Sequence, residues 1–158
     1  HAVDQLKPTD LAIELDIERF QELNGMCIMC PNNNRCANKC EFIGAADALG
    51  NVDANIWLID MSRSQFAQRT HMFASRALVW RVLIDERDTL MAARVAWIAT
   101  ERLRTEGNPN ILGLVGAAHV KGIRGLLKNP LEIQENLHQL NLKFTPPTLV
   151  RRIKINGD

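Results

Sequence analysis

Gly116-Ala-Ala-His119 closes an apolar run, Ile111-Leu-Gly-Leu-Val115. A glycine leaving a buried strand permits a sharp turn, and the histidine then falls in the first turn of the next helix. A helix N-terminus favours neutral imidazole, the form that a metal ligand or general base requires. The bland alternative is a capping or core histidine, since four-residue motifs recur by chance. Glu14 and Asp16 end an earlier apolar run. Asp16 precedes Ile17-Glu18-Arg19 and reads as a helix N-cap. Glu14 is a candidate ligand or base, set against a solvated strand-end charge. Asp85-Glu86-Arg87-Asp88 lies between Val82-Leu83-Ile84 and Leu90-Met91-Ala92, so part of this charged run must face packed surface. Glu86 and Arg87 read as a buried ion pair that orients a site.

The four cysteines fall within fourteen residues, as Cys27-x2-Cys30-x5-Cys36-x3-Cys40. Paired Cys-x2-Cys and Cys-x3-Cys suit a tetrahedral thiolate site, with Zn²⁺ the favoured occupant. Disulfides, an iron–sulfur centre and free thiols are the alternatives. The loop's Pro31-Asn-Asn-Asn34 centre is a turn former.

Several regular elements must position these groups. Thr9 to Leu15 alternates as a strand, with Leu11, Ile13 and Leu15 on one face and Ala12 and Glu14 on the other. Ile17, Phe20 and Leu23 are spaced as a helix, with Gly25 as its C-cap. The cysteine loop, residues 26–40, precedes a helix over Glu41 to Leu49. Asn55-Ile-Trp-Leu-Ile59 reads as a strand covered on both faces. Ser62 with Gln65 forms a capping box for helical sequence that bends near Leu83 and runs to about Thr105. Met91, Val95 and Ile98 mark its buried stripe. Ile111 to Val115 is a third strand. Helices over Val120 to Leu127 and Leu131 to Leu140 follow. Leu142 to Phe144, Pro146-Pro147 and Leu149 to Ile155 read as strand, rigid turn and strand. Strands separated by helices predict one α/β domain spanning 1–158, with a partly parallel sheet and flanking helices. Ligands in such sheets bind beyond the carboxyl ends of the strands. Glu14, Asp60 and His119 are therefore expected along one edge.

The composition narrows the function classes. The chain has 158 residues, one domain's worth, and 46% are hydrophobic, enough to form a core. Nineteen Lys and Arg against eighteen Asp and Glu leave a formal charge of +1, which argues against a nucleic-acid binder. Five Phe, three Trp and no Tyr offer little stacking surface for single strands. No apolar run has the roughly 18 residues that cross a bilayer. The opening residues His1 to Lys7 are polar and do not read as a signal peptide.

These motifs, in this order, resemble the TraB/PrgY family, related more distantly to the GumN and Tiki proteins. Lys7-Pro-Thr-Asp-Leu-Ala-Ile-Glu-Leu-Asp-Ile-Glu-Arg-Phe20 is similar to the family's "kPDvvavELdexR" segment. Glu41-Phe42, Ala45-Ala46 and Ile56-Trp-Leu-Ile-Asp60 are similar to "EF…A…vvliDR". Leu83-Ile-Asp-Glu-Arg-Asp88 with Met91-Ala92 resembles "liDERdxxMA", and Leu114-Val-Gly-Ala-Ala-His-Val-Lys-Gly-Ile123 resembles "vvGaaHvxGi". The resemblance covers about Lys7 to Ile155. It implies a divalent-metal-dependent, hydrolase-like site, proposed for peptide processing in the Tiki branch and linked to pheromone inhibition in the PrgY branch. Carried over, the site residues are Glu14, Glu86, Arg87, Gly116 and His119.

Departures from the pattern shape the expectation. The family's first Gly-x-x-His strand would lie before Lys7, so a divalent metal at the Glu14/His119 rim is expected only with that motif upstream. The "DR" pair reads Asp60-Met61, and the family's long helical insertion is replaced by the cysteine loop. Prokaryotic members continue into membrane helices after the proline-rich tail, which are not found in this chain. With the first strand missing, a sheet edge is left for a protein partner or an upstream segment to cover. Together these favour a degenerate, non-catalytic member acting as a structural subunit of a larger complex in a mitochondrial or otherwise membrane-associated setting. In that reading the cysteine loop, holding Zn²⁺, is a docking surface. The alternative is a metal-dependent peptide hydrolase.

Overall fold

The computed structural model describes residues 5–22, 54–72, 76–105 and 107–151. The cysteine loop and the expected helix over Glu41 to Leu49 lie outside them. Among the described residues four short strands form one mixed sheet: β1 (Asp10–Ile13), β2 (Asn55–Leu58), β3 (Ile111–Leu114) and β4 (Thr148–Arg151), in the order β3-β1-β2-β4. β1 runs parallel to both neighbours, pairing Ile13 with Leu58 and with Leu114, so the three strands end level. β4 is antiparallel to β2, with a register shift between Ile56 and Trp57. Among the described residues nothing pairs with the outer edge of β3.

Among the described residues five α-helices flank the sheet: α1 (Arg63–His71), α2 (Arg76–Arg81), α3 (Arg87–Thr105), α4 (Ala117–Lys128) and α5 (Pro130–Gln139). Residues 17–22 are also helical. α1 begins on the capping box, in which the Ser62 side chain and Gln65 satisfy each other's backbone N–H groups. The bend near Leu83 is a π-helical turn, Val82–Glu86, joining α2 to α3. α5 starts on Pro130, whose missing N–H costs nothing in the first turn of a helix. No described helix is long and apolar enough to cross a membrane.

The period of two along β1 divides the core. Ala12 faces a cluster with Trp57, Ile59, Met91, Ala92, Ile98, Ile123, Leu126 and Ile133, which packs α3, α4 and α5 on one side of the sheet. Trp57 and Trp97 meet edge to face there, with centroids 5.9 Å apart. Leu11, Ile13 and Leu15 face the other side with Ala54, Ile56 and Leu58, beside Phe20, Leu112, Leu114 and Val150. At the strand entry, fully buried Asp10 accepts from Trp57 Nε1 at 2.8 Å and Arg102 Nε at 2.9 Å, which ties α3 to β1 away from the rim.

One expected element is corrected. Residues 142–147 form no strand. Asn141 takes a left-handed φ of 49° and the Leu142 N–H bonds back to the Leu137 carbonyl at 2.8 Å, so the chain stays tied to the end of α5. Phe144 packs into the core and Thr145 is held by Arg94, which leaves no run of free backbone for a ladder.

Candidate functional site

The level strand ends bring four elements to one rim. Glu14 follows β1, Asp60 follows β2, and Gly116 and His119 follow β3. Arg87 and Asp88 reach in from the start of α3. The three residues expected along this edge are therefore together.

Glu14 is fixed at both oxygens. Its Oε2 accepts from the Gly116 N–H at 2.5 Å, and its Oε1 from Arg87 Nη2 at 2.5 Å. A Cβ at position 116 would lie 3.3 Å from Oε2, so glycine gives the carboxylate its close approach. The same Oε1 lies 3.4 Å from His119 Nε2. His119 is buried, and its Nδ1 lies 2.5 Å from Asp88 Oδ1. On its other side Arg87 Nη1 approaches Nε2 at 3.2 Å. Arginine only donates, so Nε2 accepts and Nδ1 carries the proton toward Asp88. This is the arrangement in which a carboxylate fixes a ligating or basic histidine.

Asp60 is the charge hub. Arg87 grips it with two bonds, Nε to Oδ1 at 2.9 Å and Nη2 to Oδ2 at 2.7 Å. Arg19 Nη2 also donates to Oδ2, and the Met61 N–H reaches Oδ1 at 2.7 Å. Burial pushes the Asp60 carboxyl up, but Arg87 and Arg19 outweigh it and hold it below the usual range. Burial raises Asp88, and its bond to His119 offsets that only in part. Buried Arg94 donates to the Asp60 carbonyl and to Thr145 Oγ1 at 2.7 Å. Burial lowers its guanidinium to about 10, which leaves it charged at neutral pH. Asp16 caps residues 17–22 as expected, accepting from the Glu18 and Arg19 N–H groups at 2.9 and 3.0 Å.

The expected Glu86–Arg87 ion pair is not formed. Neighbouring residues on a helix point roughly 100° apart. Arg87 turns to the rim, while fully buried Glu86 turns away and is gripped by Arg69. Sequence reasoning did not single out Asp88, Arg19, Arg69 or Arg94 for a role. Two of them carried a signal: Asp88, as the last residue of the charged run, and Arg19, as the closing arginine of the segment similar to "kPDvvavELdexR".

The donor set bears on the implied metal. Two donors about 2.1 Å from one tetrahedral ion stand roughly 3.4 Å apart. Glu14 Oε1 and His119 Nε2 have that spacing, 3.4 Å, and Asp88 backs the histidine. They fit as two members of a ligand set that needs at least one more, once the Arg87 guanidinium that bonds both of them is displaced. Among the described residues no cluster of three or more His, Cys, Asp or Glu is arranged to hold an ion. Cys27, Cys30, Cys36 and Cys40 lie outside the described residues.

No family model matches this chain, and no match is found among curated proteins or solved structures.

Proposed function

We propose that this domain is of the TraB/PrgY type and contributes Glu14 and His119 to a divalent-metal-dependent hydrolase centre acting on peptides. The observation that carries the reading is the line Asp88–His119–Glu14, in which a carboxylate-backed imidazole turns its unprotonated Nε2, here accepting from Arg87, toward a second carboxylate. When bound, a divalent ion supplies an activated water and polarises a peptide carbonyl. The chain's own residues do the rest. Asp88 holds the Nδ1 proton and keeps Nε2 free to accept. Gly116 N–H fixes Glu14 Oε2, and Oε1, held by Arg87 Nη2 in this structure, would face an ion once that guanidinium swings aside. Arg87, anchored on Asp60, offsets part of the carboxylate charge: Glu14, Asp16, Asp60 and Asp88 outnumber Arg19, Arg87 and Arg94 by four to three, which leaves one negative charge toward a cation. The remaining donors must be supplied by residues other than those described.

A second reading is supported by Arg87 itself. Its guanidinium satisfies Asp60, Glu14 and His119 together, so the rim is also stable as a closed ion-pair network. In that reading the domain is a non-catalytic subunit of a larger, membrane-associated complex, with a protein partner along the outer edge of β3 and a Zn²⁺-bound cysteine loop as docking surface. Titration calorimetry with Zn²⁺, Mn²⁺ and Co²⁺ on the chain with its natural flanking sequence separates the two. The hydrolase reading expects binding that E14Q and H119A each weaken by about 10-fold or more, together with divalent-dependent cleavage of a peptide library. Binding that ignores both substitutions, with no cleavage, favours the subunit.

A further inference from the structure

We infer that Arg69, on helix α1, which has no fully buried residue, is a positioning residue for the rim: through Glu86 it sets the rotation of the π-helical turn and so aims Arg87 and Asp88 at their partners. The inference rests on the reading of the rim as a site centred on His119.

α1 buries none of its residues, so packing alone does not explain why it lies where it does. Its last turn carries Arg69, which makes two parallel bonds to Glu86, Nε to Oε2 and Nη2 to Oε1, both 2.7 Å. Glu86 is fully buried, whereas Arg69 keeps a 15% exposed side chain. Arg69 Nη2 also donates to the Leu140 carbonyl at 2.8 Å, at the end of α5. One guanidinium thus clamps α1, the π turn and the α5 terminus together. A planar fork on a carboxylate fixes direction as well as distance.

Direction matters because two rim residues come directly after Glu86 in the chain. Residues 86, 87 and 88 are successive positions across the junction from π turn to α3, spread about 100° apart. With Glu86 pointed at Arg69, Arg87 projects to Asp60 and Glu14, and Asp88 projects to His119. A π turn contains one residue more than the α-helical path, so its rotation is not dictated by regular hydrogen bonding, and such turns concentrate at functional sites. Arg81 Nε also comes within 4.0 Å of Glu86, but its side chain is 40% exposed and makes no fork. The polar anchor of the turn is therefore the Arg69–Glu86 pair, beside the apolar burial of Val82.

The test reads the His119 ring nitrogens by NMR in metal-free protein, and divalent affinity alongside, in the full chain and its R69Q and R69K variants. In the parent protein Nδ1 is protonated and Nε2 bare. R69Q is expected to move both nitrogens toward the averaged positions of exchanging tautomers and to weaken divalent binding by about 10-fold or more. R69K keeps the charge but not the fork and should fall between. If R69Q lowers the melting temperature yet leaves both nitrogens at their parent positions, Arg69 is only a structural anchor and the inference is overturned. Should R69Q fail to fold, the nitrogens of R69K decide in the same way. A parent protein that binds no divalent ion sinks the hydrolase reading alone, because the nitrogen positions still report what Arg69 does.

Discussion

Asp88 and His119 meet at 2.5 Å although they begin different helices 31 residues apart in sequence. The contact depends on close packing of α3 against α4, and Gly122 makes that possible. A Cβ at position 122 would sit 1.8 Å from Asp88 Oδ2 and 2.8 Å from its Cγ. Asp88 is short and buried, so it has no other place to go without leaving the imidazole.

G122A is therefore expected to cost about 1–3 kcal/mol by overpacking and to release Asp88 from His119. Chemical denaturation measures the first effect and the His119 ring nitrogens the second. An alanine tolerated with unchanged nitrogens would mean that the two helices can part without disturbing the pair.

Asp60 sets the behaviour in acid. Its folded carboxyl is held below the unfolded value, so its contribution is present above the unfolded value, about 3.9, and is lost as pH falls through the folded one. Asp88 has the opposite sign. Its raised carboxyl disfavours the charged form, so its cost appears as pH rises from the unfolded value through the folded one. D60N leaves Arg19 and Arg87 facing a neutral amide and should destabilise the protein at pH 7 by about 3 kcal/mol. It should also flatten the loss of stability below about pH 4. Urea melts from acid to neutral pH provide the check, and an acid limb as steep in D60N as in the parent would remove Asp60 from the account.

Much of this arrangement was legible in the sequence, because local pattern controls it. Apolar runs marked β1, β2 and β3, and their ends placed Glu14, Asp60 and His119 at one rim. Ser62 and Gln65 announced the start of α1, and the charged run after Ile84 coincided with a distortion of the helix. What escaped was set by tertiary contact. Residues 142–144 have strand-like composition, but the turn after α5 and the hold of Arg94 on Thr145 claim their surroundings. Glu86 and Arg87 are adjacent in sequence, and adjacency on a helix sends them to different partners. Nothing in a mostly polar helix with no fully buried residue, such as α1, announces that Arg69 reaches a buried carboxylate.

Arg94 joins the rim to the segment after α5. It donates to the Asp60 carbonyl and, through Nε, to the Thr145 carbonyl at 3.0 Å. R94M keeps an apolar stem of similar reach but leaves those acceptors unpaired, at about 1–3 kcal/mol. The loss should centre on residues 142–147, seen as faster amide exchange there than in α3. Uniform acceleration across the chain would show that Arg94 contributes only to global stability.

The cysteines give the last prediction. The loop from Met26 to Cys40 has little apolar content beyond Met26, Ile28 and Met29. Ordering each backbone residue costs on the order of 1–2 kcal/mol, which so few apolar groups cannot offset by burial. A cross-link or a metal is the available compensation. The spacing x2, x5, x3 would let two cysteine pairs approach one ion from either side of the turn expected at Pro31–Arg35. Protein purified under reducing conditions should therefore carry one Zn²⁺ per chain by elemental analysis. C30S and C36S should each lose that ion, whereas E14Q and H119A should keep it, as expected of a site whose ligands are the four thiolates. Thiolate-to-Co²⁺ charge-transfer bands after metal exchange would identify the sulfur ligands. A non-reducing mass spectrum showing both cysteine pairs oxidised, with no metal bound, would replace the zinc knuckle by two disulfides.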